Sequence, residues 1–232
     1  AACMEYPHNR PYTADDLVRI ITLLRDPVNG CPWDKVQTHT SIRMNFLEEA
    51  YEAVDALDLD DPVLMCEELG DVLMQVAFHT CMEQETGRFT WEQVCDGVCQ
   101  KLIERHPNIF GTQPGYEGIT DWDALKNKEK GRRTLADDLE SVPRAMPALM
   151  RAAKLQKRAA RHGAALQGAD AAALADAAEN LQTAQPASAQ AEQAVGELLF
   201  AAANLARQAG VDPEQALQKA NEAFCAAAGP VA

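Results

Sequence analysis

Carboxylates recur at helical spacing between Glu48 and Asp71, on two segments joined by a short break, so the chain must hold two acidic helices side by side. The first segment reads Glu-Glu-Ala-Tyr-Glu over 48–52 and the second Glu-Leu-Gly-Asp over 68–71, with the helix-starting pair Asp61-Pro62 between them. At about 100° per residue, Glu48 shares a face with Glu52 and Glu68 shares one with Asp71. Glu49 turns toward the apolar side of its helix. In an antiparallel pair, four or five carboxylates converge with no basic residue between them in sequence. Such a cluster repels itself unless a cation neutralises it, and a hard oxygen-seeking ion, Mg²⁺ or Mn²⁺, suits it.

The plainer alternative is a solvated face, the usual fate of helical glutamates. The surroundings weigh against it. Residues 63–66 and 72–78 are apolar nearly all round, which predicts a largely buried helix. Glu68, Asp71, Gln75 and His79 would form one polar ridge on it, and a buried ridge needs partners.

Composition narrows the classes. The chain has 232 residues and a net charge of −14, which excludes a general binder of nucleic acid or acidic membrane. It leaves room for a nucleotide accompanied by divalent ions. Seven cysteines form no C-x-x-C. Cys66, Cys81, Cys95 and Cys99 sit in apolar patterns and read as reduced core residues of a cytoplasmic protein. A zinc site from His79, Cys81, Cys95 and Cys99 lacks finger or ribbon spacing. No apolar run reaches spanning length, and the N-terminus shows no secretory pattern.

The pattern predicts helices throughout. Thr13 and Asp16 cap the first, which Asp26-Pro27 stops. The loop Gly30-Cys31-Pro32-Trp33-Asp34 follows, and there Trp33 either covers a core edge or stacks on a planar ligand. The second helix, from about Thr40 to Leu57, points Ile42, Phe46, Ala50, Ala53 and Leu57 inward. The third spans Pro62 to about Thr86 before Gly87, and the fourth starts at Thr90 with Val94, Val98 and Leu102 inward. Lys101 and Arg105 near its end either complement the helix dipole or clamp phosphate oxygens. A loop over 111–120, a short helix over 121–130 and a connector over 132–147 lead into an Ala-rich helical half. There Arg151, Lys154, Lys157, Arg158 and Arg161 make a basic helix, expected as an ion-paired or dimer-facing surface.

That second half looks like a faded copy of the first: Gly196-Glu197-Leu198-Leu199 parallels Gly70-Asp71-Val72-Leu73. Ala194 stands where Glu68 stands, and only Asp176 and Glu179 represent the acids of 48–52. The division is expected at 130/131, with a catalytic domain over 1–130 and a structural or dimerising one over 131–232.

These motifs resemble the MazG family of nucleoside triphosphate pyrophosphohydrolases. The resemblance rests on Gly30-Cys31-Pro32-Trp33-Asp34-Lys35 with Gln37-Thr38, on Glu48-Glu49-x-x-Glu52 followed by Glu68-x-x-Asp71, and on Lys101-Leu102-Ile103-x-Arg105-His106-Pro107. Pro143-Arg144 through Arg158 and Ala216 through Glu222 resemble the second domain of two-domain members, although Gly163-Ala164-Ala165 replaces a Gly-Phe-Asp-Trp-like segment.

The resemblance implies a homodimeric all-α enzyme of tandem helical bundles that splits a nucleoside triphosphate into monophosphate and pyrophosphate with Mg²⁺. Glu49, Glu52, Glu68 and Asp71 would be its metal ligands, with Glu48 a further ligand or the base. Lys101 and Arg105 would hold the phosphates, and Trp33 and Lys35 would line the substrate. No P-loop sequence is present. Three rivals remain: a di-iron bundle, which expects E-x-x-H pairs, a non-enzymatic helical interaction module, and a dUTPase-like enzyme of restricted substrate range.

Overall fold

The computed structural model describes residues 4–111, 129–131 and 134–229. Among them are nine α-helices and no strand, in two compact units, 1–119 and 120–232. The chain is all-α.

The first unit holds α1 (Ala14–Leu24), α2 (His39–Asp58), α3 (Pro62–Glu85) and α4 (Trp91–Arg105), with one 3₁₀ turn at Asp34–Val36. Side-chain caps set each start. Thr13 and Asp16 form a reciprocal box on α1, Thr90 and Gln93 another on α4, and the Asp61 carboxylate receives two amides ahead of Pro62. The α2 start lies at the Thr38 and Ser41 box, slightly earlier than the periodicity suggests.

Helix α3 lies in the middle, packed on α1, α2 and α4. The core gathers Ile21, Ile42, Ala77, Phe78, Cys81, Met82 and Trp91. All the buried residues of α3 come from Gln75 onward. Its first half is therefore not buried as its composition predicts: Val63 is 77 % exposed and Leu69 52 %. The apolar run follows the whole helix, whereas α1 and the start of α4 cover only its C-terminal end. The same cause corrects other expectations. Leu57 on α2 is exposed while Ala56 is buried, Val98 and Leu102 on α4 are exposed, and Cys66 and Cys99 lie at the surface with only Cys81 fully enclosed.

The loop from α1 to α2 is tied to α3 by Arg25. Its guanidinium grips Glu85 through two bonds of 2.5 and 2.8 Å and donates to the carbonyls of Asp34 and Gln37. Gly30 is required there: a Cβ would stand 2.4 Å from the Asp26 carbonyl oxygen and 2.5 Å from that of Leu24.

The second unit comprises α5 (Leu135–Glu140), α6 (Ala148–Arg161), α7 (Ala171–Thr183), α8 (Ala189–Gln208) and α9 (Pro213–Ala228). The expected connector over 132–147 thus contains a helix, α5, capped by Thr134 and Asp137. The expected loop over 111–120 and short helix over 121–130 fall almost wholly outside the described residues. Helix α8 packs on α6, α7 and α9. The buried residues of its seam include Ala194, Ala201 and Ala203 on α8 and Ala159, Ala169 and Ala177 elsewhere in the unit. Methyl-lined seams let backbones approach closely but remove little apolar area from water.

Buried polar ties supplement that seam. Asn204 donates to the Ala169 carbonyl at 2.6 Å and Gln156 to that of Phe200 at 2.8 Å. Asp138, 1 % exposed, pairs with Arg158 at 3.0 Å and Arg161 at 3.1 Å, with His162 at 3.2 Å. Arg158 and Arg161 are thus ion-paired, but Arg158 is buried rather than part of the surface expected of the basic helix. No helix among the described residues is long and apolar enough to cross a membrane.

Candidate active site

Helices α2 and α3 run against each other and bring three acids from separate sequence segments together. One carboxylate oxygen from each of Glu49, Glu68 and Asp71 lies within 4.8 Å of the others. This is an arrangement for one cation with oxygen ligands. It forms because Glu49 faces α3 from α2, while Glu68 and Asp71 lie one turn apart on the ridge facing back.

Electrostatics agree with the geometry. Burial first, then the charge of Asp71, raises the Glu49 pKa, with Glu52 and Glu68 adding to the effect. Burial and then Glu52 raise that of Glu68, with Asp71 and Glu67 contributing. Glu52 is exposed and outside the close trio, yet near enough to act on two of its members. Glu48 is exposed and is not part of the trio.

Gln75 closes the base of the cluster, one turn beyond Asp71. It is 7 % exposed and donates to Glu49 Oε1 at 3.4 Å, while its own Oε1 is buried without a hydrogen-bond partner. Farther along the ridge, His79 shares a proton with His39 at 2.8 Å, and His39 reaches Glu83 at 2.5 Å. Arg88 completes the chain by donating to Glu83 at 2.6 Å. These contacts pin the first turn of α2 to the buried end of α3, and so fix the register that lets the acids meet. Sequence pattern placed Gln75 and His79 on the ridge but did not reveal Arg25 or His39. Their partners are 60 and 44 residues distant, beyond any local periodicity.

Burial and the neighbouring His39 hold the His79 pKa below the ordinary histidine value. Unfolding therefore takes up a proton as pH falls from about 6.5 toward the lowered value. The stability linked to His79 is complete above that window and is lost through it. Thermal melts between pH 7.5 and 5 are expected to show a steeper decline in Tm for the native chain than for His79→Gln. Parallel declines would remove His79 from this role.

The remaining residues singled out in the sequence lie elsewhere on the unit. Trp33 is 57 % exposed, so it does not cover a core edge. The Lys35 ammonium donates to the Pro27 carbonyl at 3.4 Å. Lys101 is exposed and Arg105 half-buried in the last turns of α4. The one group of metal-ligand type among the described residues is the acidic trio, not the histidine–cysteine set.

The family model of the MazG nucleotide pyrophosphohydrolase domain matches residues 37–110, a stretch containing all five acids. The nucleoside triphosphate pyrophosphohydrolase of Escherichia coli K12 is 41 % identical over 219 residues, covering 90 % of this chain and 83 % of that protein. The chain belongs to the MazG family of nucleoside triphosphate pyrophosphohydrolases. A MazG protein of Thermotoga maritima named nucleoside triphosphate pyrophosphohydrolase/pyrophosphatase is 39 % identical, covering 90 % of this chain and 82 % of that protein. The Mycobacterium tuberculosis nucleoside triphosphate pyrophosphohydrolase shares 35 % identity over 63 % of this chain and 46 % of its own length.

Proposed function

We propose that this MazG enzyme hydrolyses nucleoside triphosphates to the monophosphate and pyrophosphate at the α2–α3 acids, with Mg²⁺ as the working ion. The convergence of Glu49, Glu68 and Asp71 carries the proposal. Their raised pKa values report mutual repulsion that a divalent ion would relieve. Glu49, Glu68 and Asp71 would hold it, joined by Glu52. Bound there, such an ion supplies charge neutralisation for the phosphates and a more acidic water. Glu48, exposed on α2, would be a further ligand or the base. Lys101 and Arg105 would neutralise the outgoing pyrophosphate, and Trp33 and Lys35 would contact the nucleoside side.

The test is incubation of the purified chain with the eight common nucleotides and Mg²⁺, separating pyrophosphate from orthophosphate. Pyrophosphate is expected from the native chain and from Glu197→Ala. Orthophosphate as the first product would refute attack at the α-phosphorus.

A homodimer fits the exposed half of α3. Val54, Leu57, Val63, Leu69 and Leu73, on the two helices that carry the acids, are each 41–77 % exposed, and a partner copy would cover them. Sedimentation is expected to give twice the chain mass, and the Leu69→Glu, Leu73→Glu double variant a folded monomer. An unchanged mass in that variant would place the interface elsewhere. The second unit, 120–232, serves in this reading as a structural and dimerising domain without turnover, because Ala194 replaces the acid that Glu68 supplies. A cytoplasmic location agrees with a nucleotide substrate.

A further inference from the structure

Three cations of the second unit line one cavity, and none of them has a carboxylate partner among the described residues. Lys154 and Lys157, one turn apart on α6, and Arg207 at the end of α8 border a pocket of about 550 Å³ walled by Met146, Met150 and Val211. Arg207 is held in place: its Nε and Nη2 donate to Asn204 Oδ1 at 3.0 and 2.8 Å, and Asn204 is itself buried and anchored to the Ala169 carbonyl. The one acid on the lining, Asp212, has its Oδ1 engaged by the Glu214 and Gln215 amides as the cap of α9. One turn before Lys154, Arg151 has a buried Nε with no acceptor.

In a chain of net charge −14, acids are abundant enough to pair these cations, yet among the described residues none lies at ion-pair distance from them, and Asp138 engages Arg158, Arg161 and His162 instead. Three like charges around one concavity repel one another, and an anion relieves the repulsion. The apolar walls add room for a non-polar body, and the volume lies in the range of small-molecule sites.

We infer that the second unit binds a phosphate-bearing small molecule here, a nucleoside polyphosphate or free pyrophosphate, without a divalent ion. Lys154, Lys157 and Arg207 hold the vicinal phosphates, and Met146, Met150 and Val211 contact any base. The site is independent of the acidic trio, which needs a cation to accept a phosphate.

Calorimetry on the full chain carrying Asp71→Asn, in EDTA, tests this with inorganic pyrophosphate and α,β-methylene ATP as separate probes. Saturable binding of either is expected at one site per chain, weakening as salt rises. The Lys154→Ala, Lys157→Ala pair is expected to reduce affinity at least about tenfold, and the paired arginine variants to retain it. Tighter binding of the nucleotide analogue assigns a nucleotide ligand; equal binding of pyrophosphate assigns the phosphates alone. No saturable binding of either probe, or equal binding by the alanine pair with an unchanged melting profile, would overturn the inference. In the Asp71-intact chain, the alanine pair leaves pyrophosphate release at subsaturating nucleotide within about twofold only if the pocket has no influence on turnover. A larger change with an unaltered Mg²⁺ requirement makes the site a regulator.

Discussion

Asp71→Asn is expected to lower pyrophosphate release by more than about 100-fold, beyond the 10–100-fold typical of losing a residue that merely orients a ligand. It is also expected to abolish the rise in Tm that Mg²⁺ gives the native chain. The expectation follows from the trio, in which Asp71 is the largest charge acting on Glu49. Without an ion, the trio opposes folding at neutral pH. Carboxyls with raised pKa values favour the folded state at low pH, and that contribution is lost as pH rises through those values. Removing one charge should therefore stabilise the metal-free protein at pH 7 while removing the response to metal. Melting curves with EDTA and with Mg²⁺, on the native chain, Asp71→Asn and Glu49→Gln, provide the measurement. A variant that still melts later with Mg²⁺ as the native chain does would move the ion away from these acids. Glu197→Ala serves as the control, since its region offers no comparable trio among the described residues.

Asp138→Ala is expected to destabilise the second unit by about 3–5 kcal/mol, the usual result when one partner of a buried ion pair is removed. Asp138 is 1 % exposed, and it balances Arg158, itself 7 % exposed. Without the carboxylate, that guanidinium stays enclosed with only the Asp138 main-chain carbonyl and the Ser141 hydroxyl as acceptors. The alanine seam nearby has little apolar area with which to compensate. Chemical denaturation should show the affected transition moving to lower denaturant at unchanged steepness. An Asp138→Ala transition within about 0.5 kcal/mol of the native one would show that water replaces the carboxylate at little cost.

How much of this was legible beforehand depends on the range of the interaction. Caps and breakers are local, so Thr13 with Asp16, Thr90, and Asp61-Pro62 placed helix starts correctly from residue type alone. Periodicity correctly aimed Glu49, Glu68 and Asp71 at a common space. It paired Glu48 with Glu52 on one face, and neither belongs to the close trio, because angular position on one helix does not say how deeply the partner helix reaches. The error over α3 has the same root. An apolar sequence states what a surface needs, not whether its own chain supplies the cover, and here the buried residues of α3 begin only at Gln75. Asp138 escaped notice because a six-residue helix leaves too short a pattern, and the described partners of its carboxylate, Arg158, Arg161 and His162, lie 20 or more residues away.

The split character of α3 has a consequence for how this enzyme can change. Substitutions from Gln75 to Glu83 strike the residues on which folding depends, so variation there is filtered for integrity before activity matters. Substitutions at its exposed positions, such as Val63 and Leu69, strike no buried residue of α3, whereas Glu68 and Asp71 between Val63 and Leu73 meet Glu49 of α2. Those exposed positions can therefore be retuned, charge by charge around the acids, while the scaffold that presents them stays the same.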